Sequence, residues 1–267
     1  MGDSSHNGPI IELRSVSKRF GPLRVLDQIN LSLNLGQTTV VIGESGTGKS
    51  VLLKHIVGLL RPDSGEVFFH GKRIDRRSEQ ELVEIRRHIG FLFQMGALFD
   101  SMSVAENIGF PVLEHTKCTQ EELDRIIAEK LRMVGLEGLQ SRRPSELSGG
   151  QRKRVALARA IALDPEVVLY DEPTTGLDPV RADVINELIL KLKRELQVTS
   201  IVVTHDMASA FKVADRIVML HKGKFIADGS PEWYKTSDDT DVRRFVDGRA
   251  APQDLEALNV QIEDLTK

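Results

Sequence analysis

The chain has 267 residues, of which 40% are hydrophobic and 28% are charged, and its net charge is −3. This length allows one large or two small domains, and the charge balance gives no basic face of the kind that binds nucleic acid. The single cysteine, Cys118, excludes a disulfide framework and a cysteine-rich metal site. No apolar run reaches about 20 residues and the N-terminus is polar, so we expect a soluble, intracellular protein that reaches a membrane only through a partner.

The first part of the chain predicts strands that lead into a helix. After about eight flexible residues, strands are predicted over Ile10–Val16 and Gln28–Leu35, the second with alternating apolar positions that extend to Leu35. Thr38–Ile42 is a β-branched run typical of a strand that is buried on both faces. A helix is predicted from Lys49 to about Leu60, where a Pro- and Gly-containing turn follows.

The rest of the chain alternates strands with helices. The predicted elements are strands over Glu66–His70, His88–Phe93, Val167–Tyr170 and Ser200–Thr204, and helices over 119–135, 149–164 and 180–196. This order predicts an α/β fold with a parallel sheet and a helical insertion between about 94 and 162. A polar stretch near 236–252 is interpreted as the start of a C-terminal extension.

A phosphate-binding loop is predicted at residues 43–50. The stretch Gly43-Glu44-Ser45-Gly46-Thr47-Gly48-Lys49-Ser50 fits the pattern G-x-x-x-x-G-K-[ST] between a buried strand and a helix. Its glycines let backbone N–H groups turn towards an anion, and the helix N-terminus adds partial positive charge. Lys49 can reach the β and γ phosphates, and Ser50 offers a hydroxyl to Mg²⁺.

Two acids follow the apolar strand Val167–Tyr170, at the strand end where α/β sheets place their ligands. Asp171 suits a Mg²⁺ role, held directly or through water, and Glu172 is placed to polarise an attacking water. The alternative is that the pair caps the following turn. His205 ends another predicted strand and would reach the same sheet edge, although a histidine there can also be purely structural.

Leu147-Ser148-Gly149-Gly150-Gln151 opens a second helix whose N-terminus can bind an anion. The chain therefore carries two phosphate-binding helix ends but one lysine-bearing loop. The simplest interpretation is that each chain completes the site of a second copy. The short basic clusters of the chain, including Arg152–Arg154, are interpreted as solvated or phosphate-facing surface.

Together these motifs resemble the nucleotide-binding subunit of an ABC transporter. The resemblance covers roughly residues 9–240 and implies a P-loop NTPase (RecA-like) parallel sheet, an antiparallel β subdomain and a helical signature subdomain at about 94–162. Residues 1–8 would be a flexible N-terminus and 241–267 a C-terminal extension. The implied cofactors are ATP and Mg²⁺, and the implied activity is ATP hydrolysis by a dimer that drives a permease.

The resemblance also assigns roles to single residues. Glu172, His205, Gln94 and Lys49 would be catalytic. Phe20 would stack on adenine, although it could instead be a core aromatic. The phosphate loop would be Gly43, Glu44, Ser45, Gly46, Thr47, Gly48, Lys49 and Ser50, the signature Leu147–Gln151, the Walker B acids Asp171 and Glu172, and the D-loop acid Asp178.

A finer resemblance concerns the apolar segment that begins Phe-Gln-Met-Gly-Ala-Leu-Phe at residue 93 and ends Pro-Val-Leu-Glu-His-Thr at residue 116. It is similar to the Mla/Mce-type lipid-transport ATPases, as is Val242–Gly248. This resemblance implies an MlaE-like permease dimer, an Mce-domain lipid-binding protein and often a STAS-domain subunit, with the chain on the cytoplasmic face of the inner membrane. The cargo would be phospholipid or another hydrophobic molecule.

Two alternatives share part of this pattern. An importer for amino acids or an inorganic ion would use every catalytic motif and differ only in its coupling surface and tail. A soluble ABC protein acting on DNA or the ribosome fits less well, because the chain has one cassette, no basic stripe and no heptads. In the tail, Leu255, Leu258, Ile262 and Leu265 predict a helix with a narrow apolar stripe. It either docks on the second cassette or an accessory subunit, or it packs on its own domain or frays in solvent.

Overall fold

The computed structural model describes residues 8–250. Its central element is a six-stranded sheet in the order β10-β9-β3-β8-β7-β6. All neighbouring pairs are parallel except β9 and β10, which are antiparallel. The strands of this sheet are β3 (Thr38–Ile42), β6 (Ile89–Leu92), β7 (Val167–Asp171), β8 (Thr199–Thr204), β9 (Arg216–His221) and β10 (Lys224–Gly229). The prediction of a parallel α/β sheet is confirmed.

Successive residues of the central strands belong to two different cores. Val40 and Ile42 pack into one apolar cluster, while Val41 packs into the other. Because neighbouring side chains of a strand point to opposite faces, both faces of the sheet are covered. This double burial explains why Thr38–Ile42 is a continuous β-branched run rather than an alternating one.

A second, four-stranded antiparallel sheet has the order β2-β1-β4-β5. Its strands are β1 (Ile11–Phe20), β2 (Leu23–Leu33), β4 (Ser64–Phe69) and β5 (Lys72–Arg73). The predicted strand up to Leu35 was wrong at its end, because Leu35 lies beyond β2 and is 60% exposed. A turn replaces the strand there, with the Gln37 N–H donating to the Asn34 carbonyl and Gly36 in the left-handed region.

Helices cover the sheets and form the insertion. They are α1 (Lys49–Ile56), α2 (Glu79–Arg86), α3 (Val104–His115), α4 (Gln120–Met133), α5 (Gly149–Ala160), α6 (Pro179–Leu196), α7 (Met207–Val213), α8 (Pro231–Thr236) and α9 (Thr240–Val246), with a short 3₁₀ helix at Pro144–Glu146. The helices predicted at 119–135 and 180–196 are confirmed as α4 and α6. Those predicted from Lys49 and Gly149 exist but end earlier than expected.

The insertion between β6 and β7 is helical, as expected. The helix α3 was not predicted, because Gly109 and Pro111 are helix-breaking residues within its span. Two features compensate for them. Ser103 and Glu106 form a reciprocal capping box at its start, and the bare backbone of Gly109 lets the side chains of Leu123 and Ile127 of α4 approach closely.

The chain after β10 packs onto the same core. Val242 of α9 is fully buried in the apolar cluster that also contains Tyr234 of α8. The described part of the proposed extension therefore lies against the cassette, and the domain boundaries stay predictions. The apolar stripe predicted at Leu255–Leu265 lies outside the described residues. Within residues 8–250, no helix combines the length and apolar character needed to cross a membrane.

Candidate nucleotide site

The loop between β3 and α1 has the backbone geometry expected of a phosphate cradle. Gly48 caps α1 with φ 103°, and a Cβ atom there would lie 2.7 Å from Val25 Cγ1. At Gly43 a Cβ would lie 2.4 Å from the carbonyl oxygen of Leu220. Only glycine fits both positions, so the loop can turn its N–H groups inward at the N-terminus of a helix.

Lys49 lies folded over this loop and is 5% exposed. Its Nζ donates to the carbonyl oxygens of Gly43 at 2.7 Å and Glu44 at 2.9 Å, and lies 3.6 Å from Glu172 Oε1. Burial lowers the pKa of Lys49, and the negative charge of Glu172 opposes that shift. The ammonium is thus held by main-chain oxygens at the loop, where a bound phosphate would meet it.

Ser50 and Asp171 form an oxygen pair beside the loop. The Ser50 hydroxyl donates to Asp171 Oδ1 at 2.8 Å, which joins the start of α1 to the end of β7. Burial raises the pKa of the Asp171 carboxyl, and the hydrogen bond from Ser50 counters it. A hydroxyl and a carboxylate are the hard oxygen donors that Mg²⁺ prefers, so these residues fit the implied metal.

Glu172 lies at the centre of the site, with its side chain 9% exposed. Its Oε2 lies 2.8 Å from His205 Nδ1 and accepts a hydrogen bond from the Thr175 hydroxyl at 3.1 Å. The backbone of Glu172 has φ 48°, a left-handed conformation that is costly for this residue type. Its N–H donates to the Val203 carbonyl at 2.9 Å, which anchors that conformation on β8.

Phe20 and Gln94 complete a cleft of about 390 Å³ over the loop. Phe20 is 47% exposed, so it belongs to the cleft and not to the core. Gln94 is exposed and follows β6 by two residues. The cleft lining is Phe20, Val25, Ser45, Gly46, Gly48, Lys49, Ser50, Val51, Gln94 and Glu172. Four of the catalytic and stacking residues predicted from sequence, Phe20, Lys49, Gln94 and Glu172, are therefore brought together, and His205 reaches them through Glu172.

The signature does not line this cleft. Ser148 is exposed and caps α5 by accepting a hydrogen bond from the Gln151 N–H. The nearest side-chain neighbours of the signature glycines Gly149 and Gly150 are Leu177 and Arg181, respectively. Asp178 caps α6 beside them, accepting from the Arg181 N–H at 3.0 Å. Signature and D-loop thus lie side by side, outside the nucleotide cleft of their own chain.

One sequence interpretation was wrong. Within the basic cluster Arg152–Arg154 only Arg152 is exposed, whereas Lys153 is buried and donates to the carbonyls of Gln94 and Glu172. Arg154 donates to the carbonyls of Val134 and Gly135. Sequence reasoning also missed Thr175 as a partner of Glu172. Lys153 and Thr175 carry no sequence signal of their own, because a lysine among charged residues and a threonine in a turn are both common on a protein surface.

A parallel sheet with a glycine-rich loop between β3 and α1, two acids at the end of β7 and a separate signature helix defines an ATP-binding cassette. The family model described as "ABC transporter" matches residues 26–175, and the chain belongs to this family. It is an ATP-hydrolysing ABC ATPase subunit with a nucleotide site. The assignment of single residues to catalytic roles stays a prediction.

The relatives cover nearly the whole chain. The intermembrane phospholipid transport system ATP-binding protein MlaF of Haemophilus influenzae is 43% identical over 244 residues, 91% of this chain and 92% of its own. MlaF of Escherichia coli K12 is 40% identical over 241 residues and 90% of each chain. The probable ribonucleotide transport ATP-binding protein mkl of Mycobacterium leprae is 44% identical over 242 residues, 91% of this chain and 70% of its own.

Solved cassettes share the fold. The ATP-binding cassette MJ0796, in a dimeric post-hydrolysis state with ADP and phosphate, has a TM-score of 0.77 and 34% identity, covering 83% of this chain and 98% of its own. The cbiO1 protein of Clostridium perfringens, part of the ABC transporter complex cbiONQ, has a TM-score of 0.79 and 30% identity. The match covers 95% of this chain and 100% of cbiO1. The fold prediction, including the cassette architecture, is confirmed.

Proposed function

We propose that this subunit drives an intermembrane lipid transporter, moving phospholipid or another hydrophobic molecule. The observation that carries this proposal is the similarity to MlaF, which extends over about nine tenths of both chains and includes the segment after Gln94. The chain would act as an ATP-sandwich dimer with Mg²⁺, peripheral to the cytoplasmic face of the inner membrane. Its partners would be an MlaE-like permease, an Mce-domain lipid-binding protein and a STAS-domain subunit.

The catalytic roles follow from the cleft. Mg²⁺ bound with ATP would neutralise phosphate charge and would be held by Ser50 and Asp171. Lys49 would leave its loop carbonyls to meet the β and γ phosphates. Glu172, oriented by His205 and Thr175, would accept the proton of the attacking water. Gln94, which also lines the cleft, would contact the metal and that water from the segment after β6.

The proposed permease surface is a groove of about 350 Å³ that begins at the edge strand β6. Phe99 and Phe110 lie on its rim with ring centroids 5.0 Å apart and exposures of 41% and 36%. Arg86, His115 and Arg159 also line it. A groove lined by aromatic and basic side chains suits a short permease helix with apolar and acidic side chains. The groove adjoins the chain just after Gln94, so a permease seated there would contact the catalytic loop.

Co-purification tests the proposal most directly. The tagged chain, isolated from detergent-solubilised native membranes, should carry an MlaE-like permease and an Mce-domain protein. Phe99→Glu should lose these partners while the isolated chain keeps its ATPase activity. Ile226→Glu on the edge strand β10, at the similar exposure of 42%, is the matched control and should keep them. A six-helix amino-acid permease in the complex would overturn the lipid proposal.

Transfer assays then identify the cargo. The complex in proteoliposomes should deliver labelled phospholipid to or from acceptor vesicles in an ATP-dependent manner, and the same complex with Glu172→Gln should not. The mkl relative makes a ribonucleotide the second candidate. ATP-dependent movement of labelled ribonucleotide, with no movement of phospholipid, would favour that candidate.

A further inference from the structure

Lys153 is a buried lysine with unusual partners. It lies on the signature helix α5, is 7% exposed, and has no carboxylate partner within the described residues 8–250. Burial lowers its pKa, and the charges of Asp171 and Glu172 oppose the shift. The other buried lysine of the helical insertion, Lys130, contacts the carboxylates of Glu129 and Asp164. Burying an ammonium without such a partner is costly, so its contacts need an explanation.

The ammonium of Lys153 joins three catalytic segments. It donates one hydrogen bond to the carbonyl oxygen of Gln94 and a second, at 3.3 Å, to that of Glu172. One residue of the signature helix is therefore bonded to the main chain of the glutamine loop and of the proposed catalytic acid. Glu172 has a left-handed backbone, so a donor that fixes its carbonyl helps to fix the direction of its side chain.

Arg159, further along α5, extends this connection. Its guanidinium donates to the carbonyls of Gly96 at 2.9 Å and Ala97 at 2.8 Å. Gly96 and Ala97 are two consecutive residues in the left-handed region. Three main-chain oxygens of the segment 94–97 are thus held by one helix. A displacement of this segment at the groove would be carried to α5, and through Lys153 to Glu172.

We propose that Lys153 is a positioning residue that sets the Glu172 carboxylate by tying the main chains of Gln94 and Glu172 to the signature helix. The proposal rests on the catalytic roles given above to Glu172 and Gln94, and it holds for any cargo. It also connects the groove to the nucleotide site. A displacement at the groove would pass from the carbonyls of 94–97 to the helix α5, and from the Lys153 ammonium to the backbone of Glu172.

Steady-state kinetics of the full-length chain test this role. Lys153→Met should lower kcat for ATP hydrolysis about 10- to 100-fold, since small displacements of a catalytic group have effects of this size. The KM and the Kd for ATP should change less than about three-fold, because Lys153 does not line the nucleotide cleft. Lys153→Arg, which keeps charge and donors, should recover most of the rate.

Hydrogen exchange gives a readout that altered stability alone would not produce. In Lys153→Met the amides of residues 93–99 should exchange faster, while those of α1 and β3 stay as in the wild type. Lys130→Met is the matched control, because it removes a buried lysine of the same insertion away from the cleft. It should alter stability without changing kcat or exchange at 93–99. Lys153→Gln keeps a neutral donor and serves if the methionine variant does not fold.

The outcomes separate this proposal from the one on which it rests. Wild-type kcat in a folded Lys153→Met protein overturns the positioning role, whatever Glu172→Gln does. A loss of rate that arginine does not rescue, or that Lys130→Met reproduces, also overturns it. Retained turnover in Glu172→Gln instead removes the catalytic role of that acid, and faster exchange at 93–99 in Lys153→Met would still support the tether itself.

Discussion

Asp171 and Glu172 are adjacent acids in different surroundings. Asp171 accepts a hydrogen bond from Ser50, whereas Glu172 contacts His205, Thr175 and Lys49. Two neighbouring carboxylates with separate partners can divide their work, one holding a metal and the other moving a proton. The alternative that the pair only caps a turn gains little support, because each acid is bonded to a residue from another part of the fold.

Glu172→Gln tests the proton-accepting role. The amide keeps the size of the side chain but cannot take a proton, so ATP hydrolysis should fall about 100- to 10,000-fold. ATP binding should persist, because the phosphate loop and Phe20 are unchanged. Single-turnover hydrolysis and equilibrium nucleotide binding measure the two effects.

Glu166→Gln is the matched control for this variant. Glu166 precedes the same strand β7 at its other end and contacts His70 and His88. The same chemical change there should leave hydrolysis near the wild-type rate. An unchanged rate of ATP hydrolysis in Glu172→Gln would contradict the assignment of Glu172 as the general base.

Asp171→Asn tests the cost of the buried acid. A carboxyl whose pKa is raised by folding binds its proton more tightly in the folded chain, so its favourable contribution exists at low pH and is lost as pH rises through the folded pKa. The asparagine variant should therefore have a free energy of unfolding about 0.5–2 kcal/mol above that of the wild type at pH 7. Its Mg²⁺-dependent hydrolysis should be lost.

This advantage should shrink as pH falls through the pKa of Asp171, where the wild-type carboxyl becomes neutral. Urea unfolding curves at several pH values measure it. The exposed Asp124→Asn on α4 is the control and should show no advantage at any pH. Equal stability of Asp171→Asn and the wild type at pH 7, or a gap that widens in acid, would contradict the argument.

At the level of elements, the phosphate loop depends on glycine for two separable reasons. Gly48→Ala would force a left-handed φ and a contact with Val25, so ATP affinity should fall more than about ten-fold. Gly138→Ala, in a turn of the helical insertion, has φ 82° but open space around it. It should cost stability through strain alone and leave ATP affinity unchanged. Isothermal titration with ATP distinguishes them, and equal affinity in Gly48→Ala and the wild type would show that the loop tolerates the side chain.

The elements that sequence predicted are those with a strong local pattern. Thr38–Ile42 and α4 have a buried run and a helical period, so their side chains report their own environment. The helix α3 was missed because capping by Ser103 outweighs the helix-breaking Gly109 and Pro111. The strand end at Leu35 was misjudged because a turn at Gly36 interrupts the apolar alternation. Lys153 shows the remaining limit: its burial depends on carbonyls that are 59 and 19 residues away along the chain, which no local pattern reports.

At the scale of the whole molecule, the signature lies outside the nucleotide cleft of its own chain. Ser148 caps α5, and the glycines that follow it lie beside Leu177 and Arg181. None of these residues lines the nucleotide cleft. A helix N-terminus is a favourable place for a phosphate group. A two-fold symmetric dimer brings signature and cleft together, because the signature of each chain can close the nucleotide cleft of the other.

The dimer should therefore depend on both ATP and the signature. In the Glu172→Gln background, ATP should convert the monomer to a stable dimer, while ADP should not, because the γ-phosphate would be the group that contacts the partner's helix. Adding Ser148→Arg should abolish the dimer by placing a bulky side chain between the two chains, yet keep ATP binding to the monomer. Ser103→Arg, at the equivalent cap of α3, is the matched control and should leave the dimer intact. Light scattering after size exclusion measures the mass, and a dimer that persists in Ser148→Arg would place the interface elsewhere on the cassette.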